Sequence, residues 1–521
     1  MNALLVHAPV LLVAVPLLGA FAVPILGKLG RGVRDAFVGL IIAATAALAG
    51  LLAANFFAAG AVPFVYQLGG QSVGIPLLSG GIPIRILFEI DGLSAFMALI
   101  TALITLTGAV FSFSYWRNRS GGTLYFSLFL LLTAGIFGME LTGDLFNFFV
   151  FLEITSIAAC GLIGFRVWLR RSQEAGFKVM ALYTLSGLFV LLAIGLLYSE
   201  YGGLNIGYLA STIGTGILDK VALGLLLTGL AMKAGAVPLH MWAPDAYGEA
   251  PAPMSAVLVA NSQASLYAVF RIVFTLFSAT VSATALGWIL IVLALLTIFV
   301  GVTMALVQSD IKRLVAYGAV SQIGYMLLGV GVGLAVSAQA APPAYGFVAI
   351  QGGLFHMLND AACVGLLFFA SGAVIRAAGT RDLNRMGGLA HHMKWTTVFF
   401  AIGAFALAGV PPFNGFASKF LIYEASFQLS PFLSIVAILS SILLLAVFVK
   451  GFQAAFLGPR PSQPVEKAPV GMLVPMAVLA VFVIGLGLFP GFFVDHIVTP
   501  AAKALWDGPA AYITTVIGLG G

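Results

Sequence analysis

The chain has 521 residues, of which 61% are hydrophobic and only 8% are charged, and its mean hydropathy is +1.10. Soluble globular proteins carry about 25% charged residues, so this composition excludes that class and predicts an all-α polytopic membrane protein. The net charge of +6 does not indicate nucleic-acid binding, because the lysines and arginines are spread over short loops between apolar segments.

Apolar segments of about 20 residues, the length that spans a bilayer, occur about fourteen times along the chain. The segments 345–375 and 395–425 exceed this length, so each is expected either to tilt or to break. The predicted spans, in chain order, are 3–26, 35–59, 90–114, 122–141, 144–165, 175–199, 217–243, 252–278, 284–307, 311–335, 345–375, 395–425, 432–457 and 470–490.

Positive charges follow the odd-numbered predicted spans, whereas the opposite loops hold only Arg85, Lys220 and Lys503. The positive-inside rule therefore predicts that both termini lie on the outer face and that the basic loops lie in the cytoplasm. One stretch on the outer side, 62–92, alternates apolar residues with glycines. This pattern predicts a short β-hairpin.

Lys233 lies inside the apolar segment 217–243, where a charge costs about 2.5–3.5 kcal/mol on insertion scales. Pro238 follows five residues later and removes a backbone donor, which predicts a helix break beside the charge. The stretch 407–420 repeats the combination of a small residue, Val-Pro and a lysine, here Lys419. Helices broken at matching points are typical of inverted-repeat transporters, whose ion sites lie near the bilayer midplane. The sequence therefore predicts an ion pathway.

Other ionisable side chains also lie within or beside the predicted spans. Glutamate, histidine and lysine can gain and lose a proton, whereas arginine stays charged, so Arg271 is interpreted as a structural counter-ion. Lys312, beside Asp310 and Arg313, is either a pathway residue or a topology anchor. The remaining candidates for a proton pathway are Glu153, Lys178, His240, His356 and Asp360.

Four stretches together resemble the antiporter-like family, which includes large proton-channel subunits of respiratory complex I, of membrane-bound hydrogenases and of Mrp-type cation/proton antiporters. The resemblance covers residues 85–460 and implies about fourteen transmembrane helices with two inverted five-helix repeats, each with a broken helix. The stretches are DLFNFFVFLEITSIA (144–158), KAGAVPLHMWAPDAYGEAPAPMSAVL (233–258), QSDIKRLVAYGAVSQIGYM (308–326) and AGVPPFNGFASKF (408–420).

The resemblance also implies a domain organisation and a location in the inner membrane of a prokaryotic cell. N-terminal helices would occupy 1–115, with the outer loop near 62–92, and the C-terminal helix and tail would occupy 458–521. The first antiporter-like repeat would span 116–280 and the second 281–457.

The resemblance further implies roles for individual residues. Glu153 is similar to the family's fifth-helix glutamate, and Lys233 to its partner lysine on the broken seventh helix. His240 resembles the histidine after that break, and Lys419 the lysine on the broken twelfth helix. Lys178 resembles a lysine often found on the sixth helix. The implied proton pathway comprises Glu153, Lys178, Lys233, His240, Lys312, His356, Asp360 and Lys419.

The sequence departs from the family pattern at the centre of this pathway. Many relatives carry two histidines and a lysine at four-residue spacing on one helix face, whereas this chain has His356, Asp360 and Val364. A dehydrated link here would block proton transfer, and Asp360 with bound water would bridge it. The sequence leaves both possibilities open.

The leading hypothesis is a proton- or Na⁺/H⁺-translocating subunit of a multisubunit energy-converting membrane complex, with other membrane subunits and the lipid bilayer as partners. No catalytic site of its own, no metal and no cofactor are predicted. Cys160 and Cys363 form no cluster for iron–sulfur ligation, and no nucleotide-binding fingerprint is present in the sequence.

Two alternatives remain open at this stage. A free-standing secondary transporter of a cation or small solute would also use broken helices. A haem-bearing electron carrier would use His240 and His356 as axial ligands, and this requires that both histidines face one cavity.

Overall fold

The computed structural model describes residues 6–58, 60, 62–67, 87–117, 119–459 and 466–517. These residues are almost wholly helical, which confirms the predicted class of an all-α polytopic membrane protein. The helices are α1 (Ala8–Leu26), α2 (Arg31–Ala58), α3 (Gly92–Tyr115), α4 (Gly122–Leu141), α5 (Leu145–Ile163), α6 (Arg170–Tyr201), α7 (Ile206–Thr212), α8 (Ile217–Ala234), α9 (Ala243–Glu249), α10 (Ala252–Arg271), α11 (Ala283–Leu306), α12 (Ile311–Ser337), α13 (Ala344–Ala378), α14 (Lys394–Ala408), α15 (Asn414–Leu429), α16 (Pro431–Phe456), α17 (Val470–Leu488), α18 (Pro490–Phe493), α19 (Thr499–Trp506) and α20 (Gly508–Ile517).

In the described part of the chain, twelve helices are long and apolar enough to cross a membrane. They coincide with twelve of the predicted spans. The other two predicted spans, 217–243 and 395–425, are each interrupted and give the pairs α8–α9 and α14–α15. The total of fourteen membrane crossings therefore stays a prediction. The long segment 345–375 does not break, because α13 continues as a single helix of 35 residues.

Two short strands lie at the ends of the segment for which a hairpin is predicted. Strand β1 (Phe64–Gln67) pairs antiparallel with β2 (Leu87–Ile90), and Phe64 lies opposite Ile90. The middle of the predicted hairpin, 68–86, lies outside the described residues. Directly after β2, Asp91 caps α3 by accepting a hydrogen bond from the backbone N–H of Ser94 at 2.8 Å.

The helices α10 and α12 form the centre of the molecule. Every residue of α10 is buried, and the helix packs against α3, α8 and α13. Helix α12 packs between α11 and α13, and glycines bring the backbones of α11 and α12 close together. A Cβ atom on Gly324 would lie only 2.6 Å from the carbonyl oxygen of Ala294. Polar side chains on these central helices therefore face other helices.

Glycines in the left-handed conformation end the helices before both breaks. Gly235 has a φ of +86° and ends α8, and Gly409 has a φ of +84° and ends α14. This conformation favours glycine because a Cβ atom would be strained there. Lys233 lies on α8 before its break, whereas Lys419 lies on α15 after its break. Both lysines are thus held next to interrupted backbone.

Candidate functional site

The ammonium group of Lys233 is completely buried between α5, α6 and α8. Its Nζ donates hydrogen bonds to the carbonyl oxygen of Leu152 at 2.5 Å and to Oγ of Ser156 at 2.6 Å. The same nitrogen lies 5.0 Å from the centre of the Tyr183 ring, within the range of a cation–π contact. Lys233 is therefore held by one carbonyl, one hydroxyl and one aromatic face.

Lys419 has the same kinds of partner at the second break. Its Nζ donates to the carbonyl oxygen of Leu407 at 2.8 Å and to Oγ of Ser441 at 2.9 Å. It lies 4.5 Å from the centre of the Tyr325 ring. The Tyr325 hydroxyl donates to the backbone of Ala437 at 2.6 Å, which fixes the ring under the ammonium group.

Neither lysine has a carboxylate within ion-pairing distance among the residues that the structure describes. A buried charge without a counter-ion is costly, and intramembrane ionisable residues mark ion pathways for that reason. Because neutral groups alone hold each ammonium, a proton can leave or arrive without breaking an ion pair. This is the arrangement expected of a proton-exchange site.

Glu153 follows Leu152 on α5 and faces a large cavity between α5 and α6. The cavity has a volume of about 720 Å³ and is also lined by Ser156, Cys160 and Tyr183. The Glu153 carboxylate makes no ion pair with Lys233, and its buried Oε1 has no hydrogen-bond partner in the described structure. The structure thus brings the predicted pair to the same segment of α5 but does not join the two charges.

His356 connects the central helix α13 to the second lysine. Its Nδ1 lies 2.9 Å from Oγ of Ser418, the residue before Lys419, and its Nε2 lies 3.1 Å from Oε1 of Gln322. With the amide oxygen of Gln322 as acceptor, Nε2 carries the proton and Nδ1 accepts from Ser418. Both ring nitrogens are therefore occupied, which argues against His356 as a haem ligand.

Asp360 lies one helical turn from His356 and contacts α10. Its Oδ2 accepts a hydrogen bond from Nε2 of Gln263 at 3.0 Å, and its Oδ1 is buried without a partner in the described residues. The same Gln263 nitrogen also donates to the backbone oxygen of Met357 at 3.0 Å. Val364, one turn further along α13, is buried and has no polar side-chain atom. Gln263 thus supplies a polar contact from a neighbouring helix.

Helix α10 makes a second, separate polar contact with the surroundings of the first lysine. Asn261 donates from Nδ2 to the Tyr183 hydroxyl at 3.5 Å, and Tyr183 is the ring beneath Lys233. Asn261 and Gln263 together place amide groups between the surroundings of Lys233 and Asp360. Sequence reasoning missed both residues, although the polar run NSQAS (261–265) inside a predicted span was a visible signal.

The other predicted site residues lie apart from this central group. His240 is partly buried between α8 and α9, and its Nδ1 has no hydrogen-bond partner in the described structure. Lys178 is about half exposed and forms ion pairs with Glu174 at 2.8 Å and Asp245 at 3.1 Å. Lys312 is buried at the start of α12 and donates to the carbonyl oxygen of Ala250 at 2.6 Å.

A second group of buried charges surrounds the start of α3. Arg271 donates two hydrogen bonds to Asp91, at 2.6 and 2.9 Å, as expected for a structural counter-ion. Burial alone would raise the pKa of Asp91, but the Arg271 charge and the hydrogen bonds hold it below its usual value. Burial raises the pKa of nearby Glu89 well above its usual value, and the Asp91 charge acts in the same direction. Glu89 therefore holds a proton more readily than an exposed glutamate does.

Comparison with known proteins places this geometry in a family. The family model described as NADH:quinone oxidoreductase/Mrp antiporter, transmembrane, matches residues 142–444, which is more than half of the chain. The matched region contains both helix breaks, both buried lysines and the polar residues of α10 and α13.

Individual relatives match over nearly the whole chain. NADH-quinone oxidoreductase subunit N of Desulforudis audaxviator is 34% identical, over 94% of this chain and 98% of the relative. A Na⁺/H⁺ antiporter subunit of Bacillus subtilis is 32% identical, over 85% of this chain and 89% of the relative. A chain in a solved structure of an archaeal respiratory membrane complex, the membrane-bound sulfane sulfur reductase, is 29% identical to this chain. The two superpose with a TM-score of 0.87, and the match covers 98% of this chain and 100% of that chain. The chain belongs to the NADH:quinone oxidoreductase/Mrp antiporter transmembrane family.

Proposed function

We propose that this integral membrane protein is the proton-translocating, antiporter-like subunit of a multisubunit energy-converting membrane complex. The observation that carries the proposal is the pair of buried lysines, each beside a helix break and each held by neutral groups. Protons are the ion that these two sites fit, because an ammonium group repels Na⁺ and can itself carry a proton. Coupling of proton translocation to Na⁺ transport would require a separate site that binds Na⁺.

In the first half of the pathway, Glu153 and Lys233 exchange protons across the α5 backbone. Glu153 faces the cavity of about 720 Å³ and can take up or release a proton there. The Lys233 ammonium group is buried and donates hydrogen bonds to Leu152 and Ser156, on either side of Glu153 in the sequence. A charge on one group changes the field at the other, since Lys233 of α8 is hydrogen-bonded to the residues on either side of Glu153 on α5 without forming an ion pair with it.

In the second half, Asp360, His356 and Lys419 form the relay. Asp360 is a carboxylate with one free oxygen in the described structure, and His356 is already hydrogen-bonded to Ser418 beside Lys419. Helix α10 lies between the two halves, with Asn261 contacting Tyr183 of the first half and Gln263 contacting Asp360 of the second. Lys178, Lys312 and His240 lie outside this chain of contacts, so their participation stays a prediction.

The cellular setting follows from the relatives. Their names describe subunits of quinone oxidoreductases and of Na⁺/H⁺ antiporters, and the structural relative comes from a respiratory membrane complex. Other membrane subunits are therefore the partners of this chain. We place it in the inner membrane of a prokaryotic cell with both termini outside, in agreement with the basic loops that follow odd-numbered spans.

Purification from the native membrane tests the assignment to a complex. The chain should copurify with other membrane subunits, and vesicles that hold this assembly should move protons when it is energised. A chain that purifies alone and transports a cation or solute as a monomer would support the free-standing transporter instead and would contradict the proposal.

A further inference from the structure

A second cavity, of about 240 Å³, lies where the ends of α3, α5, α12 and α13 meet. It is separate from the residues of the relay described above, none of which lines it. Five positively charged side chains line it, and they come from four separate parts of the sequence. We call it the basic cavity, and its charged lining consists of Arg119, Arg166, Lys312, Arg376 and Arg381.

The carboxylates around the basic cavity compensate only part of this charge. Glu249 pairs with Arg381 at 2.8 Å and with Arg166 at 3.7 Å. Asp310 pairs with Arg381 at 2.8 Å, and the exposed Glu466 pairs with Arg376 at 3.0 Å.

Five cations thus share three carboxylates in the described residues, which leaves Lys312 and Arg119 without a carboxylate partner there. Lys312 is 3% exposed, and its ammonium group makes one hydrogen bond, to the backbone of Ala250. Arg119 stacks over the Tyr115 ring at 4.1 Å and has no ion pair within the described part of the chain. An ammonium group has three donors and a guanidinium five, so both side chains retain donors for a ligand in the cavity.

The arginines are also crowded together. Burial lowers the pKa of Arg166, and the charges of Arg381 and Arg119 lower it further, although Glu249 opposes them. Such a cluster of like charges is unfavourable unless an anion lies among them. The volume of about 240 Å³ is several times the roughly 30 Å³ that a water molecule occupies, so the cavity is large enough for a tetrahedral anion.

We propose that the basic cavity binds a phosphate group. Guanidinium groups bind phosphate through paired N–H donors and a lysine ammonium adds a point charge, which is the combination that lines this cavity. A phosphate with one or two negative charges matches the two uncompensated cations. The group would belong either to the headgroup of an anionic lipid or to free inorganic phosphate, and it would join the loop before α10 to the start of α12.

The test uses the full chain, purified and stripped of lipid, together with the variants Arg119→Gln and Lys312→Gln. Arg117→Gln is the matched control, because Arg117 is an exposed arginine in the same loop and does not line the cavity. Each protein is placed in nanodiscs of phosphatidylcholine alone, in nanodiscs that also contain cardiolipin, or in phosphatidylcholine nanodiscs with added inorganic phosphate. Bound cardiolipin or inorganic phosphate is identified and counted from its added mass in native mass spectrometry, and the melting temperature is measured in each condition.

If the bound phosphate group belongs to a lipid headgroup, cardiolipin should be retained and should raise the melting temperature of the wild type and of Arg117→Gln. If it is free phosphate, added inorganic phosphate should be bound and should raise the same two melting temperatures. Either variant of the cavity should weaken that binding about tenfold, since a charged hydrogen bond contributes roughly 1.5 kcal/mol or more. If Lys312→Gln does not fold, Arg119→Gln decides alone, because Arg119 is only partly buried. Equal binding by all four proteins, or no binding by any, would overturn the proposal.

Discussion

Lys233 and Lys419 lie on opposite sides of their helix breaks but have the same set of partners. Each donates to one backbone carbonyl and one serine hydroxyl, and each lies over a tyrosine ring. In both halves, neutral groups of the same kinds therefore hold a buried ammonium that has no carboxylate partner among the described residues. The shared set also makes the two sites suitable for matched experiments.

Asp360→Asn tests the relay on α13. Asparagine keeps the side-chain volume and an oxygen that can accept from Gln263, but it cannot carry the proton. We expect proton translocation by the assembled complex to fall about 100-fold, the lower end of what a positioned proton-transfer group contributes, while assembly is unchanged. The measurement is the initial rate of proton uptake by vesicles. Asp495→Asn, the same change at an exposed aspartate, should keep the wild-type rate.

Gly187→Ala tests the position of the Glu153 carboxylate. A Cβ atom at residue 187 would lie 2.1 Å from Oε1 of Glu153, so the flexible carboxylate must move away from α6. We expect a lower translocation rate with little change in melting temperature. Gly195→Ala is the control on the same helix, because a Cβ atom there meets nothing within 4 Å. Equal rates for the two variants would show that the carboxylate position is unimportant.

Ser156→Ala and Ser441→Ala test the matched lysine sites. Each change removes the serine acceptor of the buried ammonium and leaves its carbonyl acceptor in place. Ser441→Ala also removes the acceptor of the Tyr423 hydroxyl, which donates to Ser441 at 2.7 Å. We expect each variant to lose about 0.6–2 kcal/mol of stability, the range for hydrogen bonds in membrane interiors. Unfolding in detergent measures the loss. A smaller loss for Ser441→Ala than for Ser156→Ala would contradict the equivalence of the two sites, because Ser441 has the additional tyrosine partner.

Glu89→Gln tests the buried carboxyl group of Glu89 beside α3. Because the pKa of Glu89 is raised in the folded state, its contribution to stability is fully present below the unfolded value of about 4.3 and is lost as pH rises through the folded value. Glutamine stays neutral at every pH. The melting temperature of Glu89→Gln minus that of the wild type should therefore increase from about pH 5 to about pH 9. Glu200→Gln, at an exposed position, should show no such trend.

The sequence predicted the parts of the fold that depend on local composition. Length and apolarity located the helices, and the prolines beside Lys233 and Lys419 located the interruptions. Local composition could not decide whether 345–375 breaks, because its continuity depends on packing against α12 and other helices. The charged residues inside apolar segments could also be recognised from the sequence, because they differ in polarity from their neighbours.

The partners of those charges could not be predicted, because they come from distant parts of the chain. Ser156 is 77 positions away from Lys233, and Gln263 is 97 positions away from Asp360. Serine and glutamine carry no charge and attract little attention in a single sequence. Their role follows only from which helix faces meet in the folded structure.

The central claim is that Lys233 carries a proton during translocation, and the most direct measurement compares Lys233→Ala with Lys220→Ala. Lys220 is an exposed lysine on the same helix, so the two variants differ in position but not in chemistry. Proton uptake is measured in vesicles that contain equal amounts of the assembled complex. We predict that Lys233→Ala abolishes proton uptake and that Lys220→Ala retains it. Wild-type uptake by an assembled Lys233→Ala complex would contradict the claim.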